Sequence, residues 1–201
     1  MSQPTSQLSL SNVYPNLGLK YYQSVHELPN VWEALEVNDI FLERSFLECL
    51  EKYPPENMSF VYFVYFDKSE IVGFCIGQIH EFRANKSINS LHTTSEKGFR
   101  QKVKIGLSRF INYQILTIGN LLLAGDHTFF FKSDYLQKLN IARVIHETTV
   151  AMKPFLKKEK IKIITSKEYC GDRLERLDEL KKLGYSKPKA LPNMVFPVRN
   201  S

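Results

Sequence analysis

The sequence predicts an α/β fold, a mixed central sheet flanked by helices, and three observations predict it. Segments of helical and strand periodicity alternate along the 201 residues. Two early strand-like runs, Ser59 to Asp67 and Glu70 to Phe82, are joined only by Lys68-Ser69, a link short enough for a tight hairpin. That hairpin makes the sheet mixed. A later apolar run, Ile115 to Leu123, is interrupted only by Thr117, Gly119 and Asn120 and suits a strand buried on both faces.

The elements follow in order. Residues 1–18, with Pro4, Pro15 and many small polar side chains, read as a flexible lead into a single domain spanning 19–201. Leu19 to Val25 is a short strand. Asn30 is placed to cap a helix carrying Val31, Trp32, Leu35 and Val37. Phe41 to Tyr53 is a second helix, stopped by Pro54-Pro55, with Cys49 as a small core residue. In the second hairpin strand, Gly73 and Gly77 allow a bend or a close neighbour. Residues 83–95 are a polar loop, and Ser95 to Tyr113 is an amphipathic helix with Phe99, Val103, Leu107 and Phe110 on its stripe. After the run Ile115 to Leu123, Phe129 to Phe131 extends the sheet or packs under it. Asp134 to Lys157 is the longest helix, with Pro154 kinking or shortening its end. Ile161 to Thr165 is a short buried strand, Asp172 opens a helix closed by Gly184, and Met194 to Val198 is the last strand. The expected order is β-α-α-β-β-α-β-α-β-α-β.

Apolar content of 43% and aromatic content of 12% are enough for a full core, and a domain of this size buries roughly 70% of its unfolded surface. Cys49, Cys75 and Cys170 are odd in number and widely spaced, with no CxxC. That favours a reducing compartment over a disulfide framework and argues against a zinc site. Met1 to Asn12 has neither the basic start nor the apolar centre of a secretory signal, and no run is long enough for a membrane span. A cytoplasmic location is the expectation. Residues 1–131 carry 11 Lys+Arg against 13 Asp+Glu, whereas residues 132–201 carry 16 against 8. The basic third is a solvated surface, or it meets a phosphorylated ligand, an anionic membrane or a nucleic acid. No zinc-finger, KH or RNP pattern accompanies it. The absence of HExxH, a nucleophile elbow, a Walker loop and a dinucleotide fingerprint lowers protease, hydrolase, NTPase and Rossmann readings.

Asp126 and His127 lie just past the end of the central run, where α/β proteins place their chemistry. Adjacent residues of an extended segment point opposite ways, so only one of the pair reaches a common site. Glu81 and its neighbour His80 end the preceding strand and are alternatives for the same task.

The element order resembles that of the GNAT superfamily of N-acetyltransferases, with one additional helix before the central strand. The stretch TIGNLLLAGDHTFFF is similar to one in predicted GNAT-type acyltransferases of Bacteroidetes, distantly related to FemAB-like transferases. The tail LGYSKPKALPNMVF also resembles theirs. In that family a second transferase-like half follows, so the chain, which stops at Arg199-Asn200-Ser201, also reads as a first half. The resemblance implies acyl transfer from acetyl-CoA or another acyl-CoA to an amine. Both are small-molecule partners; no metal is implied, and a second half or a homo-oligomer is an expected assembly. It implies that the central strand, through Leu121, Leu122 and Leu123, lends backbone groups to the donor's pantetheine arm. The diphosphate is expected at the N-terminus of the helix near Asp134, with Gln137, Lys138 and Asn140 as polar contacts. The chemistry asks for a base, an oxyanion donor and an acid for the thiolate. Asp126, His127 and Glu81 are candidates for the base, and Tyr169 matches the region where such enzymes hold an acid tyrosine. The family's phosphate loop reads Gln/Arg-x-x-Gly-x-Gly/Ala, whereas Ser133 to Ala142 contains no glycine. Either the donor is held differently or this half is a scaffold. A FemAB-like use of an aminoacyl-tRNA donor is the third reading that the basic third permits.

Overall fold

The computed structural model describes residues 7–83, 112–122, 127–166 and 178–186. Most of the helix expected over 95–113, the loop before it, the start of the helix at Asp172 and the strand Met194 to Val198 lie outside the described residues.

The sheet is built on β3 (Met58–Asp67) and β4 (Glu70–Arg83), whose Asp67 and Glu70 face each other across Lys68-Ser69. Lys68 takes the left-handed conformation, φ 55°, that such a two-residue loop demands. The expected hairpin is present. Phe60 through Phe66 are all buried. Phe60, Tyr62, Val64 and Phe66 point to one face, and Val61, Phe63 and Tyr65 to the other, so β3 needs cover on both sides. On the first face α1 (Val31–Leu35) and α2 (Arg44–Lys52) supply Val31, Leu35 and Leu47.

Outward from β3, β2 (Leu17–Tyr22) pairs antiparallel, and β1 (Leu8–Ser9) pairs with β2. Within the stretch expected as a flexible lead, Leu8–Ser9 and Leu17–Gly18 therefore already belong to the sheet. Leu10 and Leu17 are buried, and Asn16, at φ 63°, makes the turn between them. On the other side β5 (Asn112–Ile118) runs antiparallel to β4, and β7 (Ile161–Ser166) runs parallel to β5. Among the described residues the order is β1-β2-β3-β4-β5-β7, a mixed sheet with helices on both faces.

Several expected bounds move. Asn112 and Tyr113 belong to β5 and not to a helix end, because they pair with Arg83 and Phe82; the Phe82 and Tyr113 rings stack at 5.1 Å. The strand then stops at Ile118. Gly119 leaves it at φ 125°, a value that favours glycine, and Leu121 and Leu122 stand in a turn. β6 (Phe129–Phe131) rejoins the sheet, pairing with Cys75 to Gly73.

The long helix expected over 134–157 is three shorter ones: α3 (Ser133–Lys138), α4 (Ile141–Ala151) and α5 (Lys153–Lys158). Asn140 is extended and caps α4 with its side chain. Pro154, lacking an N–H, sits in the first turn of α5, where it starts a new helix after Met152. These helices cover the second face with Ile141, Val144, Ile145, Met152 and Phe155. β7, expected to be buried, is half open, with Ile163 39% exposed. Cys49 is exposed, not a core residue. Asn30 precedes α1 without a side-chain cap bond. α6 (Glu179–Lys182) buries Leu180 and closes at Gly184, φ 91°, whose N–H donates to the Lys181 carbonyl.

Gly73 is needed because β6 comes close: a Cβ there would stand 2.2 Å from the Phe131 ring. Replacement of Gly73 by Ala should cost about 1–3 kcal/mol, lowering Tm by roughly 2–4 °C per kcal/mol. Combined with Phe131→Leu, the total loss in a thermal melt should be smaller than the sum of the two single losses. Strict additivity would contradict the contact.

Candidate functional site

The break between β5 and β6 is the irregular feature of the sheet. Gly119 donates its N–H to the Ile76 carbonyl (2.9 Å), and Ile76 donates its N–H to the Thr128 carbonyl (3.1 Å). The chain therefore leaves the sheet at Gly119 and re-enters it at Thr128 on one residue of β4. A fully buried side chain next along fixes the first turn of that excursion. Gln78 accepts from the Leu121 N–H through Oε1 (2.7 Å) and donates through Nε2 to Asn120 Oδ1 (3.1 Å), which also accepts from the Leu122 N–H (3.0 Å). Because backbone donors point at both carbonyl oxygens, both amide orientations are determined. Each bond is worth about 1 kcal/mol net.

His127 lies near the far end of the excursion, and its Nδ1 meets Asp39 Oδ2 at 2.7 Å. Asp39 is itself held: its Oδ1 accepts from the Phe41 N–H (3.0 Å), capping the short 3-10 turn Ile40–Leu42 between α1 and α2. The Phe41 ring packs edge-on against the imidazole with centroids 4.6 Å apart. The two side chains are 27% and 23% exposed, shielded enough for the pair to matter and open enough to be reached. With Nδ1–H donated to the carboxylate, Nε2 becomes the atom that takes a proton from outside. Sequence reading had His127 beside Asp126; its partner among the described residues is Asp39, 88 positions away. No local pattern announces that pairing.

A cleft of about 590 Å³ is lined by residues that flank Asp39 and His127 in sequence. One wall is the end of α1 with Glu36 and Asn38, and the other is Phe129 to Asp134. Asn38 directly precedes Asp39, and Phe129 is two residues past His127; Asp39 and His127 do not themselves line the cleft.

The other expected residues fall elsewhere. Asp126, Leu123 and Tyr169 lie outside the described residues. Glu81 sits opposite Gln114, five residues along β4 from Ile76, which at about 3.4 Å per residue is roughly 17 Å from the break. It is not brought together with His127. Its neighbour His80 has a buried Nδ1 with no hydrogen-bond partner among the described residues, and burial lowers its pKa. Leu121 and Leu122 are not in a strand, and Gln78 and Asn120 already hold their N–H groups.

Gln137, Lys138 and Asn140 line a second cleft of about 610 Å³ with Asp178, Glu179 and Lys182. The diphosphate expected there does not fit what is present. The Asn140 side-chain Oδ1 accepts from the Arg143 N–H (3.1 Å), its Nδ2 donates to Glu179, and Arg143 is ion-paired with Glu179 at 3.7 Å. Among the described residues no three His, Cys, Asp or Glu side chains gather as a metal site, and no helix is long and apolar enough to cross a membrane.

No protein-family model and no curated protein matches this sequence. Among solved structures the chain is similar to an aminoglycoside acetyltransferase from an uncultured soil metagenomic sample in complex with sisomicin. The identity is 12% and the TM-score 0.47, over 95% of this chain and 100% of that one. It is similar to an aminoglycoside N-acetyltransferase in complex with CoA at 8% identity and TM-score 0.44, over 90% and 99% of the two chains. A possible acetyltransferase from Clostridium difficile 630 matches at 10% identity and TM-score 0.43, over 91% and 99%. At these values the chemistry has to be argued from the chain's own geometry.

The half-buried His80 ring, its Nδ1 shut off from solvent, gives a pH signature. Its pKa is lowered in the folded chain, so the unfolded chain binds the proton more readily. The stability it contributes is complete above the ordinary value of 6.5 and drains away as pH falls below it. Urea midpoints between about pH 5 and 7.5 should fall toward acid in the wild type and fall less in His80→Gln. Equal slopes in the two proteins would contradict the burial account.

Proposed function

We propose that the chain is an N-acyltransferase of GNAT-like build, moving an acyl group from a pantetheine thioester such as acetyl-CoA to an amine. The observation that carries this reading is the His127–Asp39 pair, set at a break in the sheet, with a cleft lined by residues that flank both in sequence. Two features of the fold support it. The parallel pairing of β5 with β7 ends at Ile118 opposite Ser166, next to where the excursion begins. Past that point β6 continues the line of β5. Thr128 and Lys132 bond to β4 through their backbones, so by the alternation of an antiparallel ladder Phe131 turns its N–H and C=O the other way. A pantetheine arm, with two amides on an extended chain, pairs with such a backbone as an added strand does.

The reaction then runs as follows. The acceptor ammonium loses a proton to His127 Nε2, directly or through one water, while Asp39 stabilises the imidazolium that forms. The free amine attacks the thioester carbonyl; the C–N bond forms, the C–S bond breaks, and the thiolate takes up a proton. In this reading His127 is the base. Glu81 is placed too far along β4 to share the task.

The test is release of free thiol from acetyl-CoA in the presence of a panel of primary amines. His127→Ala should lower kcat/KM by roughly 10²- to 10⁴-fold, the usual contribution of a general base. Asp39→Ala should cost less, about tenfold to a hundredfold, because Asp39 acts through the ring. Donor binding should survive in both variants. Turnover undiminished in His127→Ala would remove the base from the account, and a wild type that binds no thioester would remove the function.

A further inference from the structure

An acyl-CoA site needs a place for the diphosphate, and here that place is filled by the protein itself. Set against Gln/Arg-x-x-Gly-x-Gly/Ala, the turn between α3 and α4 keeps Gln137 and Ala142 but has Asn140 at the first glycine position. Conformation does not require glycine there, since Asn140 has φ −83°. The consequence is chemical. A glycine would leave the Arg143 N–H free for an anion, whereas the Asn140 side-chain Oδ1 takes that donor at 3.1 Å. The Asn140 amide then donates to Glu179 Oε2, and Arg143 Nε lies 3.7 Å from Glu179 Oε1. A carboxylate thus stands beside the helix N-terminus, where the dipole favours negative charge. The remaining charges of the cleft are Lys138, Lys182 and Asp178, the last ion-paired with Lys181 at 3.2 Å. Glu179 is not on a loose arm. Leu180 is buried beside it, and Tyr185, just past the closing turn of α6, bonds Thr149 of α4 at 3.0 Å.

We infer that Glu179 stands in for the donor's diphosphate, so that the acyl donor is recognised through its pantetheine arm and not through its nucleotide. The inference rests on the acyltransferase reading above and specifies its donor class. A diphosphate entering this cleft meets Glu179 at close range and finds the Arg143 N–H and guanidinium already engaged.

The experiment is calorimetric titration of the full chain with acetyl-CoA and with S-acetylpantetheine, which lacks the nucleotide. Wild type and Glu179→Ala are compared, with Glu179→Gln as the second variant should the alanine protein not fold. The wild type should bind the two thioesters within about threefold of each other. Removal of the carboxylate should tighten acetyl-CoA by about tenfold or more and leave S-acetylpantetheine unchanged. Wild-type preference for acetyl-CoA of about a hundredfold, or a Glu179 variant that binds acetyl-CoA no better, would overturn the inference while leaving the acyltransferase reading in place. Binding of neither thioester by wild type or variant would overturn both.

Discussion

The backbone of Ile76 is the point on which this architecture turns. Its carbonyl holds Gly119 and its N–H holds Thr128, so the chain leaves and rejoins the sheet on one residue of β4. Had the strand simply continued past Ile118, it would have filled the position opposite Ile76, and the sheet would have closed without a break. His127, just before the chain rejoins the sheet at Thr128, instead meets Asp39 in the loop between α1 and α2. Gln78, fully buried two residues further along β4, makes the departure definite by spending both ends of its amide on the first turn of the excursion. A buried polar side chain of this kind is tolerated only when its hydrogen bonds are made, and for Gln78 both ends are.

The site is therefore a consequence of sheet geometry more than of any one loop. β3, buried on both faces, forces helices onto both sides, and α1 with α2 brings Asp39 to the strand break. The same packing constrains the other side of the sheet. There α4 and α6 are tied through Tyr185 and Thr149 and through Glu179 with Asn140, which sets what the second cleft admits. The His127–Asp39 pair at the strand break and the Glu179 carboxylate in the second cleft are the two features on which the proposed transferase, its donor gripped along the amide arm, rests.

Much of the frame could be read from residues. The hairpin was legible because the run FVYFVYF has no polar interruption and Lys68-Ser69 leaves room for nothing but a turn. Gly73 and Gly77 were legible as places of close approach, and each has a side chain where a Cβ would be. The division of the long helix was legible only in part: Pro154 marked a kink or shortened end, whereas the break before α4, capped by Asn140, was hidden under a continuing apolar period. The break at Gly119 was not legible, because its cause lies in a ladder partner some forty positions upstream. Asp39 was missed for the same reason. An aspartate that caps a 3-10 turn carries no local mark of the histidine it will meet across the fold. Leu121 and Leu122 misled because an apolar run looks the same whether it stays in a strand or leaves it at a glycine.

The most direct test of the central claim, that the His127–Asp39 pair is the reacting base, is the pH dependence of kcat/KM for acyl transfer in the wild type and in His127→Ala. The account predicts that wild-type activity rises through one deprotonation and that this limb is absent from the small residual activity of the variant. The same limb in both proteins would place the base elsewhere and contradict the account.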